Sequence, residues 1–135
     1  MSEHNGGCHC GKVKFTAKDP IISVACNCQR CRKLSGSLHL GVIFSEENFS
    51  VDGELSSYEY VGGSGNKVDS KFCGICGSKI YSKAELFEGL VSVKLGVLDD
   101  ALDFPPQMEV FTNYKLNWLK DNGSIKESFE EAAVA

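Results

Sequence analysis

Seven cysteines fall in three short runs: Cys8-His9-Cys10, Cys26-Asn27-Cys28-Gln29-Arg30-Cys31 and Cys73-Gly74-Ile75-Cys76. Zinc takes thiolates tetrahedrally at ~2.3 Å, which sets neighbouring sulfurs ~3.8 Å apart. Cys73 and Cys76 have the spacing of a metal-binding knuckle, and Gly74 and Gly77 supply the backbone freedom of a tight turn. Two ligands cannot close a site, so this pair needs two more. Cys8 and Cys10 are the natural complement. Two residues apart on extended chain, their side chains share one face, ~6–7 Å apart before local bending, while His9 points the other way. These four make a closed site with a structural role. Cys26, Cys28 and Cys31 differ, because one loop presents three ligands and leaves a position open, the pattern of a catalytic zinc.

Other groupings use the same residues. Cys8 could complete Cys26, Cys28 and Cys31, leaving Cys10, Cys73 and Cys76 as the open set. His9 or His39 could act as an eighth ligand and close both sites. Any one pair could instead be a redox couple or free buried cysteine. Soft thiolate sites also suit iron. His39 otherwise reads as a strand residue without a metal role, and His4 as a terminal residue.

The elements that position these residues read as strands. Lys12–Ala17 alternates charged and apolar residues, as a half-buried strand does. Segments 21–25, 39–44, 57–61, 79–82 and 90–95 carry similar β-branched or aromatic patterns. Asp52-Gly53, Gly62-Gly63-Ser64-Gly65-Asn66 and Asp99-Asp100 separate them as turns. Ser45–Phe49 reads as one capped turn before a further strand. Helix is confined to a short turn over Cys28–Leu34 and short terminal helices over Asn117–Asn122 and Glu127–Ala133. The expectation is one domain spanning 1–135, with a core over about 6–118 and a tail over 119–135.

Composition sets the limits. With 42% hydrophobic and 24% charged residues, the chain is an ordinary globular one. A net charge of −4 argues against a nucleic-acid partner, which needs a clustered positive face. Arg30, Arg32 and Lys33 form a local patch suited to a small anionic ligand, or simply a solvated face. There is no apolar run of membrane-spanning length. The opening residues lack the marks of a secretory signal. The chain therefore reads as cytoplasmic, where thiols stay reduced and metal binding explains many cysteines.

The combined motifs resemble the glutathione-dependent formaldehyde-activating family of two-zinc proteins. The residues that carry the likeness are Gly7–Val13, Cys26–Arg32 and Phe72–Ser78, followed by Ser35-Gly36-Ser37, Tyr58, Gly96–Asp99, Pro106, Lys115 and Trp118. The resemblance implies a mainly β fold of several small coiled antiparallel sheets around two zinc sites, with few short helices. It implies a closed zinc on Cys8, Cys10, Cys73 and Cys76, an open zinc on Cys26, Cys28 and Cys31, and carbon–sulfur lyase activity on S-hydroxymethylglutathione. Members often carry Pro-x-x-His, where this chain has Pro106 followed by Glu109.

The expected partner is thus a small thiol such as a glutathione adduct. Its carboxylates would meet Arg30, Arg32 and Lys33, with backbone N–H groups of Ser35-Gly36-Ser37 just beyond. Three thiolates give an ion a negative shell, which suits a carrier of soft sulfur better than a water activator. Glu109 is the candidate base. A thiol carrier without turnover, or a purely structural zinc protein, uses the same residues.

Overall fold

The computed structural model describes residues 2–120 and 123–131. Eleven strands and one helix are present among them. They run in the order β1 (Glu3–Gly7), β2 (Lys14–Lys18), β3 (Ile22–Cys26), α1 (Gln29–Ser35), β4 (His39–Ser45), β5 (Phe49–Asp52) and β6 (Leu55–Val61). Then come β7 (Lys67–Cys73), β8 (Lys79–Ala84), β9 (Leu90–Lys94), β10 (Met108–Val110) and β11 (Glu127–Ser128). Five single 3₁₀ turns fill corners, including Glu46–Asn48 after Ser45.

The strands form two sheets, one of three strands in the order β1-β2-β5 and one of eight in the order β11-β10-β3-β4-β9-β8-β7-β6. The fold is mainly β, as the sequence reading expects. Two pairings depart from antiparallel: β10 runs parallel to both β3 and β11.

Alternation decides the layers. On β2, Phe15 and Ala17 turn inward; on β4, Val42 and Phe44 do so, and on β9, Val91 and Val93. With Ile80 and Val13 these fill the core between the sheets. Branched and aromatic side chains suit this half-buried pleated surface, which is why the segments read as strands. The opposite face of the large sheet carries Ile22, Val24 and Cys26 of β3, His39 and Ile43 of β4, and Leu90, Ser92 and Lys94 of β9. A cavity lies over it, lined also by Tyr60, Gly63, Val68 and Phe111.

Among the described residues, neither expected terminal helix is formed. Residues 117–120 contain a turn, and residues 121 and 122 lie outside the described residues. Glu127 and Ser128 form β11, paired with Met108 and Glu109. The free edge of a three-residue strand outcompetes local helical preference, since tertiary pairing outweighs a weak propensity. Residues 132 and 133 of the second expected helix also lie outside the described residues.

Candidate metal centres

Two hairpin turns build the first cysteine cluster. Cys8 and Cys10 sit in the turn between β1 and β2, closed by Cys8 N–H to Val13 O at 3.0 Å and Gly11 N–H to Cys8 O at 3.1 Å. Gly11 takes φ +84°, which an L side chain resists. Cys73 and Cys76 occupy the turn between β7 and β8, closed by Gly77 N–H to Cys73 O at 2.8 Å and Cys73 N–H to Ser78 O at 2.9 Å. The four sulfurs lie within 4.8 Å of one another. Cys8 Sγ stands 3.6 Å from Cys10 Sγ, and Cys10 Sγ stands 3.7 Å from Cys73 Sγ. These match the spacing of thiolates around one tetrahedral ion.

Hydrogen bonds favour thiolates at Cys8 and Cys76, while Cys10 is pushed up to about 11. Val13 N–H donates to Cys8 Sγ at 3.2 Å. The Ser78 hydroxyl lies 3.2 Å from Cys76 Sγ and accepts from His9 N–H at 3.0 Å, tying the hairpins together. That hydroxyl is first among the groups that bring the Cys76 thiol down to about 5. The His9 residue is exposed and does not join the cluster.

The second cluster is built on one short loop. Cys26 ends β3, Cys28 caps α1, and Cys31 lies in its first turn. Cys28 has extended dihedrals, φ −62° and ψ 155°, and its sulfur accepts from Cys31 N–H at 3.3 Å. A sulfur thus fills the role that serine or aspartate oxygens usually take at a helix start. Asn27 fixes the loop: its backbone N–H and its Nδ2 both reach Val110 O at 3.1 Å.

The three sulfurs lie within 4.8 Å of one another, and no fourth His, Cys, Asp or Glu among the described residues joins them. Their hydrogen bonds to one another divide the charge. Cys28, between the other two, is held down at about 2, whereas Cys26 is pushed up to about 11 and Cys31 is raised as well. The donor sets fit metal: four thiols in one cluster, three in the other, all soft, and no disulfide among them.

All three cysteines of the second cluster line a cavity of about 380 Å³ over this face of the large sheet. Arg30 also lines it, at the start of α1. Arg32 and Lys33 lie on the same helix but are not among its lining residues. Gly36 N–H is not available to a ligand, because it caps α1 by donating to Arg32 O at 2.8 Å. The cations that sequence reading missed are Lys79 and Lys94, brought to the cavity from β8 and β9. Strand alternation was the signal: Leu90, Ser92 and Lys94 share a face opposite Val91 and Val93.

Lys94 is held in place. Its Nζ donates to Ser35 Oγ at 2.8 Å and lies 2.6 Å from His39 Nδ1. His39 Nε2 is 3.2 Å from Ser92 Oγ. With both ring nitrogens engaged, His39 stays outside the three-sulfur cluster. Gly41 permits this arrangement, since a Cβ there would come within 2.6 Å of His39 Nε2.

Glu109 falls elsewhere. Met108 and Val110 line the cavity, so Glu109 between them points to the other face of β10. Its carboxylate pairs with Lys115 Nζ at 2.9 Å and accepts from Ser128 Oγ at 3.0 Å. The expectation of a base at Glu109 is therefore replaced by a buried structural pair. Phe111, two residues on, adopts φ +55°, a left-handed conformation costly for a bulky side chain. That turn lays its ring against Gly63, where any Cβ would meet it at 2.6 Å, and at the cavity wall.

A second, broader hollow of about 600 Å³ lies over β1, β2 and β5. It touches Cys8 but none of the three-cysteine cluster.

The fold is mainly β and carries two cysteine clusters that could each hold a metal ion, one of four sulfurs and one of three beside a cavity. The chain belongs to the glutathione-dependent formaldehyde-activating enzyme family, whose model matches residues 3–114. Its fold is similar to the crystal structure of a Rhodobacter sphaeroides protein, with TM-score 0.58 and 16% identity, covering 93% of this chain and 98% of that one. No curated protein gives a significant match.

Proposed function

We infer that the chain is a zinc-dependent carbon–sulfur lyase acting on a glutathione adduct, with S-hydroxymethylglutathione as the reference substrate. One observation carries the reading: the three sulfurs, one short of a tetrahedron, line a cavity that also holds Arg30, Lys79 and Lys94. Zinc on Cys26, Cys28 and Cys31 would supply a vacant position that holds a substrate sulfur as its thiolate. A second zinc on Cys8, Cys10, Cys73 and Cys76 would hold the two hairpins together.

The residues of the chain bind and orient. Arg30 and Lys79 face the carboxylates of a glutathione moiety, arginine having the fork geometry for a paired contact. Lys94, fixed by Ser35 and His39, presents a set charge at the cysteine end. Tyr60 also lines the cavity, and burial, then the cysteine thiolates, raise its pKa, so it stays protonated and donates to the adduct's oxygen. In the cleavage direction the carbon–sulfur bond breaks with its electron pair going to sulfur. The hydroxyl proton departs to solvent as the carbonyl forms.

A second reading, a thiol carrier without turnover, is favoured by one observation. Among the described residues lining the cavity there is no carboxylate, and His39 is occupied on both nitrogens. A single rate assay separates the two. Zinc-loaded protein should accelerate formation of S-hydroxymethylglutathione from formaldehyde and glutathione, and Cys28→Ser should abolish the gain. Binding of glutathione without acceleration would leave the carrier.

A further inference from the structure

The cavity has two unlike ends. At one end Cys26 pairs across the ladder with His39, next to Arg30 and Lys94. At the other end Ile22 pairs with Ile43, and Leu86, Phe87 and Leu90 close the wall. Four residue steps along β3 separate Cys26 from Ile22, about 13 Å of strand. All the charged lining groups (Arg30, Lys79 and Lys94) are basic ones, suited to glutathione's carboxylates. The distal wall is mostly aliphatic and aromatic, with the hydroxyls of Ser92, paired with Ile43, and of Ser82 set among those side chains; Leu86 is 37% and Phe87 42% exposed. Apolar side chains left open to solvent around a cavity mark a ligand surface. A formaldehyde adduct carries a single carbon beyond sulfur and would leave that wall wet.

We propose that the adduct this site takes carries a bulky apolar group on the carbon side of its carbon–sulfur bond, seated on Ile22, Ile43, Phe87 and Leu90. The proposal rests on the reading of Cys26, Cys28 and Cys31 as the thiol-binding centre, with which the apolar wall is continuous. The occupant is the hemithioacetal of a medium-length alkyl or aryl aldehyde. Its carbon–sulfur bond breaks with the electron pair moving to sulfur. The hydroxyl oxygen loses its proton to become the aldehyde carbonyl, and a proton is regained by the thiol on release. Nothing is oxidised or reduced.

The test is calorimetry on the zinc-loaded full chain with glutathione as the free thiol and with S-methylglutathione and S-hexylglutathione, two thioethers that differ only in apolar length. Burial of the added methylenes should tighten S-hexylglutathione at least about tenfold over S-methylglutathione. Ile43→Thr keeps the branched shape, and should reduce that ratio to about threefold or less while glutathione binds as before. Should Ile43→Thr fail to fold, the wild-type pair of ligands decides alone. Equal affinity for the two thioethers, with glutathione bound, overturns the apolar subsite and leaves the thiol site standing. Equal affinity in a protein that sediments as a dimer assigns the wall to a second copy and overturns it too. If neither glutathione nor either thioether binds, both the subsite and the thiol-binding reading fall.

Discussion

Lys94 Nζ lies 2.6 Å from His39 Nδ1, across the β4–β9 ladder. An ammonium has no lone pair, so Nδ1 accepts and the ring is neutral, with its proton on Nε2 toward Ser92 Oγ. Burial first, and the Lys94 charge second, bring His39 down from 6.5 to about 3. Burial also lowers Lys94 itself. The cysteine end of the cavity is thus wired from α1 through β9 to β4 by Ser35, Lys94, His39 and Ser92.

This wiring sets a pH dependence. The folded chain resists a proton that the unfolded chain accepts below about pH 6.5. His39 therefore contributes fully above pH 6.5, and its contribution is lost as pH falls from 6.5 toward 3. One proton corresponds to a slope of at most about 1.4 kcal/mol per pH unit. Urea unfolding of wild type and His39→Gln across that window isolates the effect, since the cysteines contribute equally to both. The curves should converge as pH falls; parallel curves would contradict the neutral, buried imidazole.

Gly41 faces the same network. Adding a methyl there forces apart His39 and Ser92, both fixed by strand pairing. Gly41→Ala should destabilise the fold by about 1–3 kcal/mol. In thiol-binding assays it should cost more than an alanine at open Gly96.

The four-cysteine cluster joins hairpins more than sixty residues apart in sequence, and Cys73 is only 1% exposed. Losing one ligand removes a cross-link made on folding. Cys73→Ser should lower the melting temperature by roughly 15 °C or more, a shift of several kcal/mol for a chain of this size. Cys28→Ser, in a single local loop, should lower it far less. Equal losses would make both clusters structural.

Neighbouring arginines should separate in function. Arg30 lines the cavity and Arg32 does not. Arg30→Ala should raise the glutathione Kd by about tenfold, the value of one charge-assisted hydrogen bond. Arg32→Ala should stay within about twofold, and calorimetry measures both.

Glu109 stabilises rather than reacts. It is 9% exposed and bound by Lys115 and Ser128. Glu109→Ala should cost about 1–3 kcal/mol by stranding the Lys115 charge. The pH profile of thiol turnover should keep its shape.

How much of this was legible from residues follows a physical division. The cysteine runs were, because ligand spacing is local: Cys73–Cys76 and Cys26–Cys31 each sit on one turn. Strands with clean alternation, such as Lys14–Lys18 and Leu90–Lys94, were also readable. β1, with the sequence Glu-His-Asn-Gly-Gly, was not, because its strand state comes from pairing with β2 rather than from its own side chains. β11 failed for the same reason. Lys94 and Lys79 were missed because register between distant strands, not sequence proximity, brings them to Cys26. Arg32 and Lys33 adjoin the loop in sequence, yet helix periodicity turns only part of such a run to one side, and of the three cations only Arg30 lines the cavity.

The most direct measurement is zinc content together with glutathione calorimetry, on the wild-type chain and on Cys28→Ser. Two zincs per chain, with heat on adding glutathione, are the expected result for wild type. Cys28→Ser should keep one zinc and its fold while losing the glutathione heat. One tightly held zinc in the wild type, with no response to glutathione, would contradict an open three-cysteine centre.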